Sequence, residues 1–266
     1  MRHKVALLIP HYNDRDGLLK SVGSIDESEG VDLFIVDDGS TDIPPESEIR
    51  AAFKAAGETC LIRLVENSGV AAALNTGLRE ILRRGHEYVA RLDAGDTCFP
   101  NRLQKQCAFL DANPAVALVG AWAEFVDEAG KHLFVLKHPS EPAAIKRGMY
   151  LNNMFVHPSV MFRSSAVREI GLYPADYDAV EDYAYFFEFT KRYPTSNVPM
   201  VLIKYEVSSR SVSTVKRRQQ VQSRIRLILK NFYFGWYPIW GLIRNSLLLL
   251  LPRSATTTAK KILWNR

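Results

Sequence analysis

Two short acidic clusters carry the most chemistry in this chain, Asp37-Asp38-Gly39-Ser40 and Asp93-Ala94-Gly95-Asp96. Each follows directly on an apolar run, residues 34–36 in the first case and 88–92 in the second. Such runs read as buried strands, so both clusters project from strand ends. Carboxylates crowded on one edge repel one another and are pushed toward protonation unless a cation or hydrogen-bond donors satisfy them. Hard oxygen ligands suit Mg2+ or Mn2+, and either ion would bridge the acids to a diphosphate. An Asp-Gly step after a strand is also ordinary turn chemistry. One cluster alone says no more than that, whereas two on one sheet edge point to an ion.

Tyr12, just past the first run, either stacks on a planar base or packs its own loop. Asp38 can accept the imide N–H of a uracil or thymine ring, so the pair suits a pyrimidine nucleotide. Other phosphate-binding devices are missing: the first run leads into Ile9-Pro10-His11-Tyr12-Asn13, with neither Gly-x-x-x-x-Gly-Lys-Ser/Thr nor Gly-x-Gly-x-x-Gly after it. Cys60, Cys98 and Cys107 form no closed set of bridges and no metal-ligand spacing, which fits a reducing compartment without a zinc site.

The elements that must hold these groups follow from periodicity. Residues 5–9, 31–36, 61–65 and 88–92 have strand character, and 16–25, 46–56 and 70–84 between them have helical spacing. Asp14 or Asp16 can cap the first helix, and the third closes on Arg83-Arg84-Gly85. This alternation predicts an α/β fold, a mostly parallel Rossmann-like sheet flanked by helices, with ligands beyond the carboxyl ends of its strands. Beyond it the pattern predicts a helix over 101–112, strands at 116–119 and 121–126, and a turn at 127–130 into a strand at 133–136. A helix near 141–150, a strand at 159–162, a helix over 180–192 and a closing strand at 198–205 follow. A basic helix over 214–232 and an apolar segment to 251 complete the chain as a C-terminal helical appendage.

Charge divides the molecule. The 266 residues carry 34 Lys+Arg against 29 Asp+Glu, yet from 204 onward there are 13 basic residues and one acid, Glu206. An acidic body with a basic, apolar tail suggests a body that does chemistry and a tail that meets an anionic surface, although a solvated helical face would carry the same charge. With 47% hydrophobic and 24% charged residues, the chain is not disordered. Only five apolar residues precede Pro10, too few for a secretory core, so a cytosolic start is expected.

Taken in order, Ile9-Pro10-His11-Tyr12-Asn13, residues 36–42 (VDDGSTD), 67–77 (NSGVAAALNTG), 90–96 (ARLDAGD), 100–106 (PNRLQKQ), 157–163 (HPSVMFR) and Glu181-Asp182-Tyr183 resemble the serial motifs of family 2 glycosyltransferases. The resemblance runs from about residue 4 to 230. It implies the A-type glycosyltransferase fold and an inverting, nucleotide-sugar-dependent transfer. Position by position, it places Pro10, Tyr12, Asn13, Asp38 and Arg91 at the nucleotide, with Asn67 and Gly69 at the floor of that pocket. Asp93 and Asp96 would hold Mn2+ or Mg2+, and Asp182 would be the general base. Glu181, His157 and Phe186 would face donor or acceptor, with His157 either on the diphosphate or metal or packed in its loop.

The departures from the family pattern matter. Gly95 stands where the family usually has a second acid. Either Asp96 supplies the missing oxygen or water completes the shell, and we expect the first. Ala184, Phe186 and Glu206 also differ, which bears on the acceptor. The Gln-x-x-Arg-Trp motif of processive members is missing, so one sugar is added per event. The expected function is transfer from a nucleotide sugar, UDP-linked by preference, to a glycan or lipid-linked acceptor in surface polysaccharide or glycolipid assembly. The alternatives are a metal-dependent nucleotidyltransferase, which would need a Gly-rich basic loop, and a non-catalytic nucleotide-sugar-binding protein, against which Asp182 speaks.

Residues 232–251 could span a bilayer in length, but an arginine near the centre, here Arg244, costs about 2.5–3.5 kcal/mol on insertion scales. The expectation is an interfacial helix anchored by Trp236, Tyr237 and Trp240. Lys216, Arg217, Arg218, Arg224, Arg226, Lys230, Arg253, Lys260 and Lys261 would be drawn to anionic lipid. A dimer interface or a face packed on the body is the alternative. We therefore expect a catalytic domain over 1–213 and an appendage over 214–266. The enzyme would sit peripherally on the cytoplasmic, inner face of a membrane and have no nucleic-acid partner.

Overall fold

The computed structural model describes residues 3–177, 179–207 and 217–250. In its first half β1 (Val5–His11), β2 (Val31–Asp37), β3 (Thr59–Arg63) and β4 (Tyr88–Arg91) pair in parallel in the order β3-β2-β1-β4. Every residue of β1, β2 and β4 is buried, which is why their sequences are mostly apolar rather than alternating. Alternate residues still face opposite ways. Ala6, Leu8 and Phe34 pack with Leu74 and Leu78 of α3 (Val70–Arg84), whereas Leu7, Ile9 and Leu33 pack with Leu18 of α1 (Arg15–Gly23) and Ile49 of α2 (Glu46–Ala52). Asp14 caps α1 by accepting from the Gly17 amide at 3.1 Å, and α3 closes on Gly85 at φ 77°.

Beyond β4 the sheet is mixed. The elements are β5 (Thr97–Cys98), α4 (Arg102–Ala112), β6 (Leu118–Val126), β7 (His132–Leu136), α5 (Pro142–Gly148), a 3-10 turn at His157–Ser159, β8 (Met161–Arg163), α6 (Ser164–Ile170), α7 (Glu181–Arg192) and β9 (Thr195–Glu206). β8 inserts antiparallel between β4 and β6, β9 runs parallel to β6, and β5 and β7 are antiparallel to β9 and β6. The two strands expected at 116–119 and 121–126 are one. Gly120 does not interrupt β6, because a Cβ there would come within 2.2 Å of Asn197 Oδ1, so the glycine permits close approach rather than a turn. The strand expected from 159 starts at Met161, since Pro158 holds the preceding turn.

α8 (Arg217–Lys230) and α9 (Trp236–Leu250) pack together and against the body. Leu227 and Ile228 of α8 join the core cluster, and the Tyr150 hydroxyl donates to the Asn231 carbonyl at 2.9 Å. Two expectations for this region are corrected. Tyr237 turns inward onto the core instead of outward, and Arg224 faces the interior, where burial lowers its pKa. Lys216, Arg253, Lys260 and Lys261 lie outside the described residues.

Candidate active site

At the carboxyl ends of β1 and β2, the acids are engaged by the protein itself. His11 is buried, with Nδ1 2.9 Å from Asp37 Oδ1, and its Nε2 accepts from the Asp14 amide at 3.2 Å. With Nε2 accepting, the proton sits on Nδ1 and is donated to Asp37. Asp37 Oδ2 accepts from the Ser40 amide at 3.3 Å. Asp38 accepts from the Ser68 and Gly69 amides, one on each oxygen, both at 2.8 Å. Asn13, at φ 48°, donates its amide to Ser40 Oγ and accepts from the Thr41 amide at 2.9 Å, so the β1 loop is tied to the β2 loop. Here a left-handed asparagine does what its short amide permits.

The end of β4 is different. Arg91 is 3% exposed and pairs with Asp93, yet its Nε and Nη1 have no partner. Burial works against its charge, while Asp93 beside it keeps it protonated. Asp96 is 4% exposed; its Oδ1 accepts from the Glu206 amide at 2.8 Å and its Oδ2 has no partner. Burial and the neighbouring Asp93 push the Asp96 carboxyl well above its usual range. Gly95 turns this loop at φ 94°, a conformation strained for any residue with a side chain. The turn folds Asp96 inward, where Ser21 Oγ lies 3.0 and 2.7 Å from the Asp93 and Asp96 carbonyls.

The motif over 100–106 braces this loop from behind. Arg102, fully buried, donates to the Arg91 carbonyl at 2.8 Å and to Gln106 Oε1 at 3.0 Å. Gln106 donates onward to the Ser159 carbonyl at 2.7 Å, fixing the turn that carries His157. Burial and Arg91 hold the His157 imidazole well below its usual pKa, and its Nε2 lies 3.1 Å from the Tyr173 hydroxyl. It is neutral near pH 7.

Glu181 and Asp182 open α7. Burial and the adjacent Asp182 raise Glu181 to about 7, and burial raises Asp182 as well. Asn153 Nδ2 donates to Asp182 Oδ2 at 2.9 Å. Arg91 lowers, and Asp93 raises, the titration of both acids, which places the start of α7 in electrostatic reach of the end of β4.

An open cavity of about 780 Å³ joins these parts. Asn13, Arg91, Asp93, Asp96, His157, Glu181 and Asp182 line it. Pro10, Tyr12, Asp38, Asn67 and Gly69 are outside its lining; the cavity reaches their neighbours Asn13 and Val70 instead. Pro10 and Asp38 are buried, while Tyr12 and Asn67 are exposed. Phe186 is corrected: it is fully buried and packs edge-on against Phe155 and His157, supporting the wall without reaching a ligand. Asp14, Asn153, Tyr205 and Arg224 also line the cavity. Sequence reasoning gave them no role there, since Asn153 and Arg224 sit 29 and 42 positions from Asp182 and no local spacing connects them.

The family model described as glycosyl transferase family 2 matches residues 6–171. The amylovoran biosynthesis glycosyltransferase AmsE of Erwinia amylovora is 31% identical over 191 residues, which is 70% of each chain. Among solved structures, the mannosyltransferase PcManGT from Pyrobaculum calidifontis, in complex with GDP-Man and Mn2+, superposes with a TM-score of 0.64 at 19% identity, covering 99% of this chain and 81% of that one. S. aureus TarS 1-349 in complex with UDP gives 0.60 at 16% identity, covering 93% and 70%. At these identities the structural matches show the A-type glycosyltransferase fold.

Proposed function

Since the chain belongs to the family 2 glycosyltransferases, we propose that it moves one sugar from a nucleoside diphosphate sugar, UDP-linked by preference, to a hydroxyl of a glycan or lipid-linked acceptor, inverting the anomeric carbon. The observation that carries this reading is that Arg91 and Asp96, which hold buried N–H groups and a buried oxygen without partners, line the same cavity as Glu181 and Asp182. Buried polar atoms without partners cost about 1–3 kcal/mol each, and a diphosphate with its cation would satisfy both kinds. Arg91 then binds the diphosphate through charge-assisted hydrogen bonds. Asn13 and Asp38 use the lone pairs left over from their own loops on the nucleoside, with Pro10, Tyr12, Asn67 and Gly69 around them.

Asp93 and Asp96 would hold a Mn2+ or Mg2+ ion. Their hard oxygens and the free Asp96 Oδ2 fit one. Among the described residues no three or more His, Cys, Asp or Glu side chains converge on a metal position. Diphosphate oxygens and water would therefore fill the remaining places. Such an ion would supply charge neutralisation at the departing diphosphate.

Asp182, oriented by Asn153, takes the proton of the acceptor hydroxyl as that oxygen attacks C1 and the bond from C1 to the diphosphate breaks. A single displacement of this kind inverts the centre. A base raised toward neutrality by burial is a stronger proton acceptor than an ordinary aspartate. Neutral His157 lines the same space as a hydrogen-bonding group. Residues 1–213 make up the catalytic domain in this reading, and the appendage over 214–266 lends Gln220 and Arg224 to the cavity wall. The relative from amylovoran biosynthesis supports an acceptor in surface polysaccharide assembly.

A thermal-unfolding panel of UDP-, dTDP- and GDP-sugars with and without Mn2+ tests the donor assignment, because a ligand of the folded state raises its apparent stability. UDP-sugars should raise the midpoint, and more so with Mn2+. No shift with any nucleotide would overturn the reading.

A further inference from the structure

We infer that α8 and α9 form a docking face for an anionic lipid bilayer. The orientation of α9 points to it. Trp236, Ile239, Trp240, Ile243 and Leu247 recur at helical spacing and are all exposed, Trp236 by 72%, and Phe234 just before them is 95% exposed. The Trp236 and Trp240 rings are stacked nearly parallel, 6.0 Å apart. The opposite side of the helix is fixed to the body. Gly241 lies against the Tyr150 carbonyl so closely that a Cβ would come within 2.1 Å of its oxygen, and Asn245 is buried. The apolar stripe therefore cannot roll inward. A contiguous apolar surface of this kind marks an interaction site, and stacked tryptophans suit the boundary between headgroups and acyl chains.

Charge selects the occupant. On α8 Arg218, Arg226 and Lys230 are exposed, and the chain from 204 onward has 13 basic residues against one acid. A second copy of this chain would bring the same charge to meet itself, whereas phosphate headgroups oppose it. With Gly241 and Asn245 held against the body, the docked helix would lie along the surface. Because Gln220 and Arg224 of α8 line the cavity, the helix pair that meets lipid also walls the site. This inference stands whether or not the donor assignment holds.

The test is sedimentation of the full chain with vesicles of phosphatidylcholine alone or mixed with phosphatidylglycerol. Binding should require phosphatidylglycerol, weaken at high salt and shift tryptophan emission to the blue. Trp236→Ser with Trp240→Ser should reduce vesicle affinity by about tenfold or more and leave the thermal midpoint unchanged, since both rings point outward. Arg218→Gln with Arg226→Gln should lower affinity while preserving any residual salt-independent binding. The inference is overturned if the parent binds neither vesicle, or if the tryptophan pair can be replaced without loss. It is also overturned if those replacements convert a dimer to a monomer, or if single-stranded oligonucleotide binds in place of lipid.

Discussion

Asp37 and Asp38 at the end of β2 have all four carboxylate oxygens engaged by the protein, whereas at the end of β4 Asp96 keeps a buried oxygen without a partner and Arg91 two such nitrogens. The first region is a finished scaffold. It ties the β1, β2 and 67–69 loops together. The second is held from behind by Arg102 and Gln106 but keeps those atoms unsatisfied. Incomplete hydrogen bonding inside a protein is tolerated where something else completes it. In the proposed reading the β2 end supplies shape and the β4 end, with the start of α7, supplies chemistry.

The largest effect should come from the chemical side. Asp182→Asn keeps the hydrogen bond from Asn153 within reach but removes the base, so turnover should fall by roughly 10²–10⁴ while donor affinity holds. Transfer rates and calorimetric titration with donor measure the two separately. The next effect is on pH. Glu181 is raised to about 7 and Asp182 is raised with it, so the transfer rate should climb with pH until about 7 and then level. Below that the decline approaches about tenfold per unit, with an apparent constant belonging to the pair. Stability runs the other way. Raised acids favour the fold when protonated, so their contribution is complete below the ordinary carboxylate range and is lost as pH rises toward about 7. Chemical denaturation across that window measures it.

Smaller effects should separate the two acidic ends. Asp38→Asn loses the charge on two backbone bonds and should destabilise the fold by about 1–3 kcal/mol. Asp96→Asn keeps an acceptor for the Glu206 amide and removes a charge that burial opposes, so stability should hold or rise. Denaturant midpoints that moved alike for both variants would erase the distinction.

Most of the parallel half could be read from the sequence because its signals are local. α3 has its expected bounds, Val70–Arg84, set by Gly69 and Gly85, and β1, β2 and β4 are mostly apolar. Two-residue β5 and α6, with Ser164 and Ser165 at its start, carry too little periodicity to be seen. Gly120 misled because a glycine that permits close packing looks the same in sequence as one that turns the chain. Motifs singled out Asp93, Asp96, Glu181 and Asp182, all of which line the cavity, but not the residues around them. Asn153 and Arg224 come to the cavity, and Tyr173 to His157 behind it, only through the placement of elements far apart in the chain. Phe186 lies one turn after Asp182, and the depth of α7 in the core buries it.

The central claim is that the unfinished end of β4 is completed by a cation and a diphosphate. Calorimetric titration of UDP into the parent chain and into Asp96→Asn, each with and without Mn2+, tests it most directly. The account predicts that Mn2+ strengthens UDP binding to the parent by about tenfold or more, a coupling of roughly 1.4 kcal/mol, and that Asp96→Asn removes the gain. Equal UDP affinity with and without the ion in the parent would contradict it.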